Sequence, residues 1–462
     1  MAYLLGNGTV ITVDQERRII TDGAVVTRGN EIIDLGKTRE MREKYPDTEF
    51  IDASEHIIMP GFIDGHVHLA QAMIRGCADD LNLIDWLAKR VWKLQGNYTE
   101  EDGKASAELC ILEMLKSGTT TFAETLLATH YGFEGIIQTI LKSGIRGALA
   151  KSIMDLSTYA TKENIMDRGM VEDGEKCFAE ALEMHKKWEG AGDDRVFIWL
   201  GPRPVGSSTK ELLERVGIVS RERNMGIHIH FCEVKEDVHY IREHFNMGPG
   251  DFAEKIGLLG PKTLLVHGVW IEEEDIDFIK KHSATVVHNP TCNMKVASGF
   301  SPVPRLLEKG VNVSLGCDGG PSNNTYDMLW EMKMAACIHK GKTLDPEVVP
   351  AEKVIEMATI NGAKSLGLDH LVGSLEKGKR ADIVTIDCTA PHLVPDLNPV
   401  STVVYAANGQ DINHVLVNGQ MIVKQGEILT MDEEEILYKV RVQARKLLAK
   451  TNINVKSSWP TL

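Results

Sequence analysis

Between about residues 60 and 320, short apolar runs alternate with longer stretches of mixed character. The runs read "GFIDGHVH", "GTTTFAE", "GIRGALAKSIMD", "RVFIWLGP", "GIHIHFCE", "TLLVHGV", "ATVVHNP" and "VNVSLGCDG". Among the spacers, "EDGKASAELCILEMLKSG" and "STKELLERVGIVSRERN" have helical spacing, and several spacers end on Gly, as a helix C-cap does. Eight strand-like runs with helical spacers are the count of a (β/α)8 barrel. The two ends of the chain have another texture. "LLGNGTVITVD" and "GAVVTRGNEIIDLG" near the start, and "GKRADIVTIDC" and "DINHVLVNGQMIVKQGEI" near the end, are β-branched runs broken by Gly, Asn and Asp turns. They predict one small β domain built from both termini.

The expected fold class is therefore α/β, a TIM-type (β/α)8 barrel with a second β domain. The expected division is residues 1–57 for the N-terminal β part, 58–374 for the barrel, 375–430 for the C-terminal β part and 431–462 for a closing helix and tail. The helix is expected in "MDEEEILYKVRVQARKLLAK".

Composition narrows the partners. In 462 residues, 66 Asp and Glu outweigh 51 Lys and Arg, a formal net charge of −15, which argues against nucleic acid or an anionic membrane. No apolar run has the roughly 18 residues of a membrane helix, and the first residues lack a secretory pattern. The eight cysteines are scattered without a Cys-x-x-Cys pair, the usage of reduced, mostly buried thiols. The expectation is a soluble cytoplasmic protein acting on a small molecule; a homo-oligomer stays open.

Polar residues cluster at the C-terminal ends of the eight runs, where barrels of this type carry their active sites. His66 and His68 end the first run, His230 and Glu233 the fifth, His267 the sixth, His288 and Asn289 the seventh, and Asp318 the eighth. Residues at i and i+2 of a strand project the same way, so His66 and His68 can reach one point. Each residue alone has an ordinary structural reading. Together, histidines and one carboxylate on one rim supply the N and O donors of a catalytic divalent metal.

Several of these stretches carry a family resemblance. "PGFIDGHVHLAQAMIRGCADDLNLIDWL", "LKSGTTTFAET", "HIHFCE", "HNPTCNMKVASGFSPV", "GCDGGPSNN" and "VGSLEKGKRADIVTID" resemble the amidohydrolase superfamily. More narrowly they are similar to its methylthioadenosine/S-adenosylhomocysteine deaminases and triazine chlorohydrolases. The resemblance, from about residue 3 to about 430, implies that the second domain is a β-sandwich made from both chain ends. It also implies His66, His68, His230 and Asp318 as ligands of one divalent ion, Zn2+ or alternatively Fe2+, and Glu233, His267 and Asp318 as the groups that move protons. Hydrolytic release of ammonia from an amino N-heterocycle is the activity implied.

The substrate positions depart from the nucleoside deaminases. Gln95 stands where they have a ribose-binding Glu, Arg203 where a substrate-touching His follows "GP", and Lys151 where an Arg faces the homocysteine carboxylate. Arg203 presents a planar fork of donors suited to oxo or carboxylate acceptors, so a pterin or oxopurine is expected ahead of a nucleoside. Trp86 is read either as a pocket wall or as helix packing, and His288 either as a substrate contact or as a structural hydrogen bond. Glu124, on the rim, has no assigned role. The rival activities are triazine-type chlorohydrolysis and, more remotely, a non-catalytic barrel that serves assembly.

Overall fold

A computed structural model describes residues 2–159, 165–455 and 459–460; the final positions of the expected tail, 456–458 and 461–462, lie outside the described residues. The chain opens with β1 (Ala2–Ile11), β2 (Ile19–Arg28), β3 (Glu31–Lys37), β4 (Glu49–Asp52) and β5 (His56–Pro60). The eight expected runs then form β6 (Phe62–Val67), β7 (Thr119–Leu127), β8 (Arg146–Ile153), β9 (Val196–Pro202), β10 (Ile227–Phe231), β11 (Thr263–His267), β12 (Thr285–His288) and β13 (Asn312–Leu315). Strands β14 (Ile383–Asp387), β15 (Ile412–Val417), β16 (Gln420–Lys424) and β17 (Glu427–Ile428) follow.

Strands β6 to β13 lie parallel, each beside its neighbour in chain order, and a parallel bridge between Val67 and Asp318 closes the ring. Closure depends on Gly65, where a Cβ would come within 2.9 Å of the Leu315 carbonyl oxygen and the Ser314 hydroxyl. The fold is thus a (β/α)8 barrel. Strands β1–β5 and β14–β17 join in a separate nine-stranded mixed sheet, with β5 of the N-terminal part antiparallel to β14 of the C-terminal part.

Strand alternation sorts the barrel side chains into two layers. Ile63, Ala123, Ala148, Ala150, Trp199, Leu264, Val266 and Val287 fill the interior together with Ala363 and Leu366 from the helix Ile360–Leu366. Their strand neighbours, such as Leu149, Ile198, Ile229, Leu265 and Val286, pack outward beneath the helices. The C-terminal helix Glu433–Thr451 starts at Asp432, whose side chain accepts from the Glu435 amide at 3.0 Å, and Lys439 holds it to Glu108 of the helix Glu100–Lys116 at 2.9 Å. Among the described residues, no helix is long and apolar enough to cross a membrane.

Candidate active site

In β10, Ile227, Ile229 and Phe231 face the outer layer, so His228 and His230 point into the barrel. Asp64 carries much of the local order at the seam. One of its carboxylate oxygens accepts from the His66 amide at 3.1 Å and the Cys317 amide at 3.0 Å, and the Asp318 amide donates to the His66 carbonyl at 2.8 Å. His66 and Asp318, far apart in sequence, are thereby fixed side by side.

The four expected ligands converge. His66 Nε2 and His68 Nε2 each lie 3.3 Å from Asp318 Oδ1, and the His230 ring lies 5.0 Å from that of His66 and stacks on that of His68 at 5.3 Å. His66 Nε2 is buried without a hydrogen-bond partner, while His66 Nδ1 lies 2.8 Å from His228 Nε2. An imidazole steered through one nitrogen with the other left bare is how a protein presents a metal ligand. The donor set, three imidazoles and one carboxylate, fits a divalent ion. Burial tends to raise the Asp318 pKa, but the close approach and charge of His66, with the charges of His68 and His267, outweigh it and hold the carboxyl well below its usual range.

Beside this group, His267 Nε2 lies 3.5 Å from Glu233 Oε2, and His267 Nδ1 lies 2.9 Å from Asn293 Oδ1. By alternation with Leu265 the His267 side chain belongs to the outer face. Its backbone is left-handed, with φ of 71°, and the ring sits 5.4 Å from that of His230. Asp318 is left-handed too, at φ of 68°. Such conformations cost about 1–3 kcal/mol in non-glycine residues and gather at functional sites. Burial, with the nearby charges of Asp318 and Asp237, pushes the Glu233 carboxyl well above its ordinary pKa. The Asp237 carboxylate accepts from the Glu233 amide at 2.9 Å and the Val234 amide at 3.2 Å, which fixes the turn that aims Glu233.

A cavity opens over these groups. His68, His230, Glu233, His267 and Asp318 form its polar floor, and Trp86, Trp92, Tyr131, Tyr159 and Met170 contribute to its walls. Gln95 and Arg203 also line it. Arg203 follows the Trp199 and Gly201 side of β9, is 4% exposed, and has an Nε without a hydrogen-bond partner. Among the described residues no carboxylate comes within 4.0 Å of its guanidinium. Trp86 is both wall and packing, since its indole also donates to the Pro321 carbonyl at 3.4 Å.

Two expected substrate residues are not on the cavity, and strand parity is the reason in each case. Lys151 alternates with Ala150, so it leaves the interior; its buried ammonium lies 3.2 Å from Glu172 and 3.6 Å from Glu180. His288 alternates with Val287 and likewise turns outward, where its Nε2 meets His339 Nε2 at 3.0 Å, the structural hydrogen bond of the two readings. Glu124 is buried and accepts from the Leu69 amide, so it braces the turn just past His68. His228 escaped the sequence reading although "HIH" repeats the spacing of "HVH". Tyr159 and Met170 lie on a long connection whose sequence offers no sign of the cavity.

The Amidohydrolase family model matches residues 57–422. The chain belongs to the amidohydrolase family. This amidohydrolase is 37% identical over 454 residues to a 5-methylthioadenosine/S-adenosylhomocysteine deaminase of Syntrophomonas wolfei, an alignment covering 97% of this chain and 100% of the relative. Its structure is similar to that of an adenosine deaminase from Xanthomonas campestris with bound zinc, at a TM-score of 0.89 and 26% identity over 97% of this chain and 98% of the other. It is also similar to atrazine chlorohydrolase from Arthrobacter aurescens TC1 in complex with zinc, at a TM-score of 0.87 and 25% identity over 96% and 100% of the two chains. The protein is accordingly a hydrolase of the class that acts on C–N bonds of amidine-type heterocycles, which sets aside the non-catalytic barrel.

Proposed function

We propose that this amidohydrolase deaminates an oxo-substituted amino heterocycle, a pterin or an oxopurine. The observation that carries the reading is the buried Arg203 guanidinium on the cavity wall, with no carboxylate of the described residues within 4.0 Å of it. A planar donor fork in such a place recognises an oxo or enolate group, and the aromatic walls suit a flat ring. In this reading His66, His68, His230 and Asp318 would hold the ion, with Zn2+ the expected metal. When bound, such an ion supplies Lewis acidity that makes water nucleophilic near neutral pH.

Glu233 delivers a proton to the ring nitrogen next to the amino-bearing carbon. His267, oriented through Asn293, holds the attacking water by hydrogen bonding. The Asp318 carboxylate returns a proton to the amine, and ammonia leaves a ring carbonyl. Glu233→Gln is expected to keep the metal and to lower the rate by about 10² to 10⁴, because the amide cannot carry the proton. Near-normal turnover in that variant rules out the assigned role.

Two rival substrates have support of their own. The kinship with methylthioadenosine/S-adenosylhomocysteine deaminase favours a 5'-substituted adenine nucleoside, and the likeness to atrazine chlorohydrolase favours chloride displacement. A screen of pterins, oxopurines, adenine nucleosides and chlorotriazines for ammonia and chloride release separates the three. The oxo-heterocycles should show the highest kcat/KM; a nucleoside or a chlorotriazine in first place overturns the preference.

A further inference from the structure

The active cavity contains a second group of metal-type donors that shares no residue with the ligand set His66, His68, His230 and Asp318. Cys292, in the short helix Pro290–Lys295 after β12, is the one cysteine among the described residues that lines the cavity. A ligand atom from each of Glu233, His267 and Cys292 lies within 4.8 Å of the other two. Exposure of the three is 3%, 1% and 1%, so bulk water competes poorly for the space between them.

The orientation of two of the three donors is already set. Asn293 Oδ1 accepts from His267 Nδ1, which leaves the Nε2 lone pair facing Glu233 Oε2. Ser298 donates to Glu233 Oε1 at 3.3 Å, so Oε2 is the free oxygen. A sulfur, an imidazole nitrogen and a carboxylate oxygen with an open side toward a cavity make a three-ligand site for a borderline or soft cation. Magnesium, which demands oxygen ligands in near-ideal octahedral geometry, is poorly served by it.

We propose that Glu233, His267 and Cys292 form a second, inhibitory cation site that takes zinc or cadmium in preference to magnesium. Binding breaks the Cys292 S–H bond, forms a sulfur–metal bond and releases the proton to water, as does any proton held on Glu233; no oxidation state changes. The inhibitory consequence rests on the proton-transfer roles given above to Glu233 and His267, because an ion on those two side chains occupies the lone pairs that the reaction uses. An excess of free zinc then stops turnover while the first ion stays in place, and a weak chelator restores it.

The test is a cadmium titration of holoenzyme carrying one equivalent of its first metal. The expected result is a second equivalent by elemental analysis, together with an ultraviolet cadmium–thiolate charge-transfer band. Cys292→Ser and Cys292→Ala should each bind one equivalent and show no band. Double substitution of the two less buried cysteines, Cys77→Ser with Cys337→Ser, should keep both signals. Glu233→Gln, which retains the thiol, should need at least ten times more cadmium to develop the band. A band that survives in the Cys292 variants, or no second equivalent in the unmodified chain, overturns the proposal. Loss of the first equivalent instead contradicts the ligand set proposed above and leaves the thiolate band to decide this site on its own.

Discussion

At the scale of single residues, Arg203 and Glu331 show how burial sets chemistry. Arg203 is buried in the cavity wall with no carboxylate of the described residues within 4.0 Å, an arrangement that costs stability unless a ligand supplies the acceptor. Arg203→Met should therefore lower kcat/KM for the best oxo-heterocycle by roughly 10- to 200-fold, the equivalent of about 1.5 to 3 kcal/mol for a charge-assisted hydrogen bond. Steady-state kinetics on a pterin and on adenosine check it, and an unchanged ranking of the two defeats it. Glu331, on the helix Met328–Thr343, accepts from Asn323 Nδ2 at 2.7 Å, and burial pushes its carboxyl up to about 8. The folded chain thus holds a proton that the unfolded chain releases near the ordinary value of 4.5. Stability from this group falls as pH rises from about 4.5 to about 8 and is flat above. Glu331→Gln removes the titration, so its Tm relative to the unmodified chain should climb between pH 5 and pH 8. Parallel curves would show that Glu331 is ionised in the fold.

At the scale of elements, the barrel and the mixed sheet are joined through a buried charge. Arg146, the first residue of β8, is fully buried, and its guanidinium donates to Asp382 and Asn418, to the Thr121 hydroxyl at 3.2 Å and to the Asp194 carbonyl at 2.8 Å. Asp382 in turn accepts from the Asn418 amide at 2.8 Å. Removing one partner of such a pair leaves a buried charge uncompensated. Arg146→Met should cost about 3 to 5 kcal/mol, and Arg146→Met with Asp382→Leu should regain part of the loss. Denaturant unfolding measures both; a single variant as stable as the unmodified chain would mean that water reaches Asp382. Arg146 stands in an ordinary-looking apolar run, and only the docking of the two parts makes it a strut.

At the scale of the whole molecule, the proposed ion would draw on side chains from β6, from β10 and from the turn after β13, which meet only when the barrel closes. An ion bound by the folded chain alone raises stability by mass action, about 2.7 kcal/mol at a hundredfold excess over Kd. A strong chelator should lower Tm, zinc should restore it, and His66→Ala should melt at one temperature with or without chelator. Identical melting of the unmodified chain in both conditions would contradict the ligand set. The linear chain was enough to read the eight strands in order, the pairing of both ends in one domain and the row of histidines and acids at the strand ends, because periodicity and turn chemistry are local. The inward face was not local. Alternation relates a residue only to its strand neighbours, and barrel closure selects which face becomes the interior; that selection sent Lys151 and His288 outward and left Arg203 on the cavity. Left-handed backbone at His267 and Asp318 then departs from regular strand geometry, and the cavity positions of Tyr159 and Met170 depend on packing between distant parts of the chain. Those placements follow from contacts between residues far apart in sequence, so the tertiary structure alone decided them.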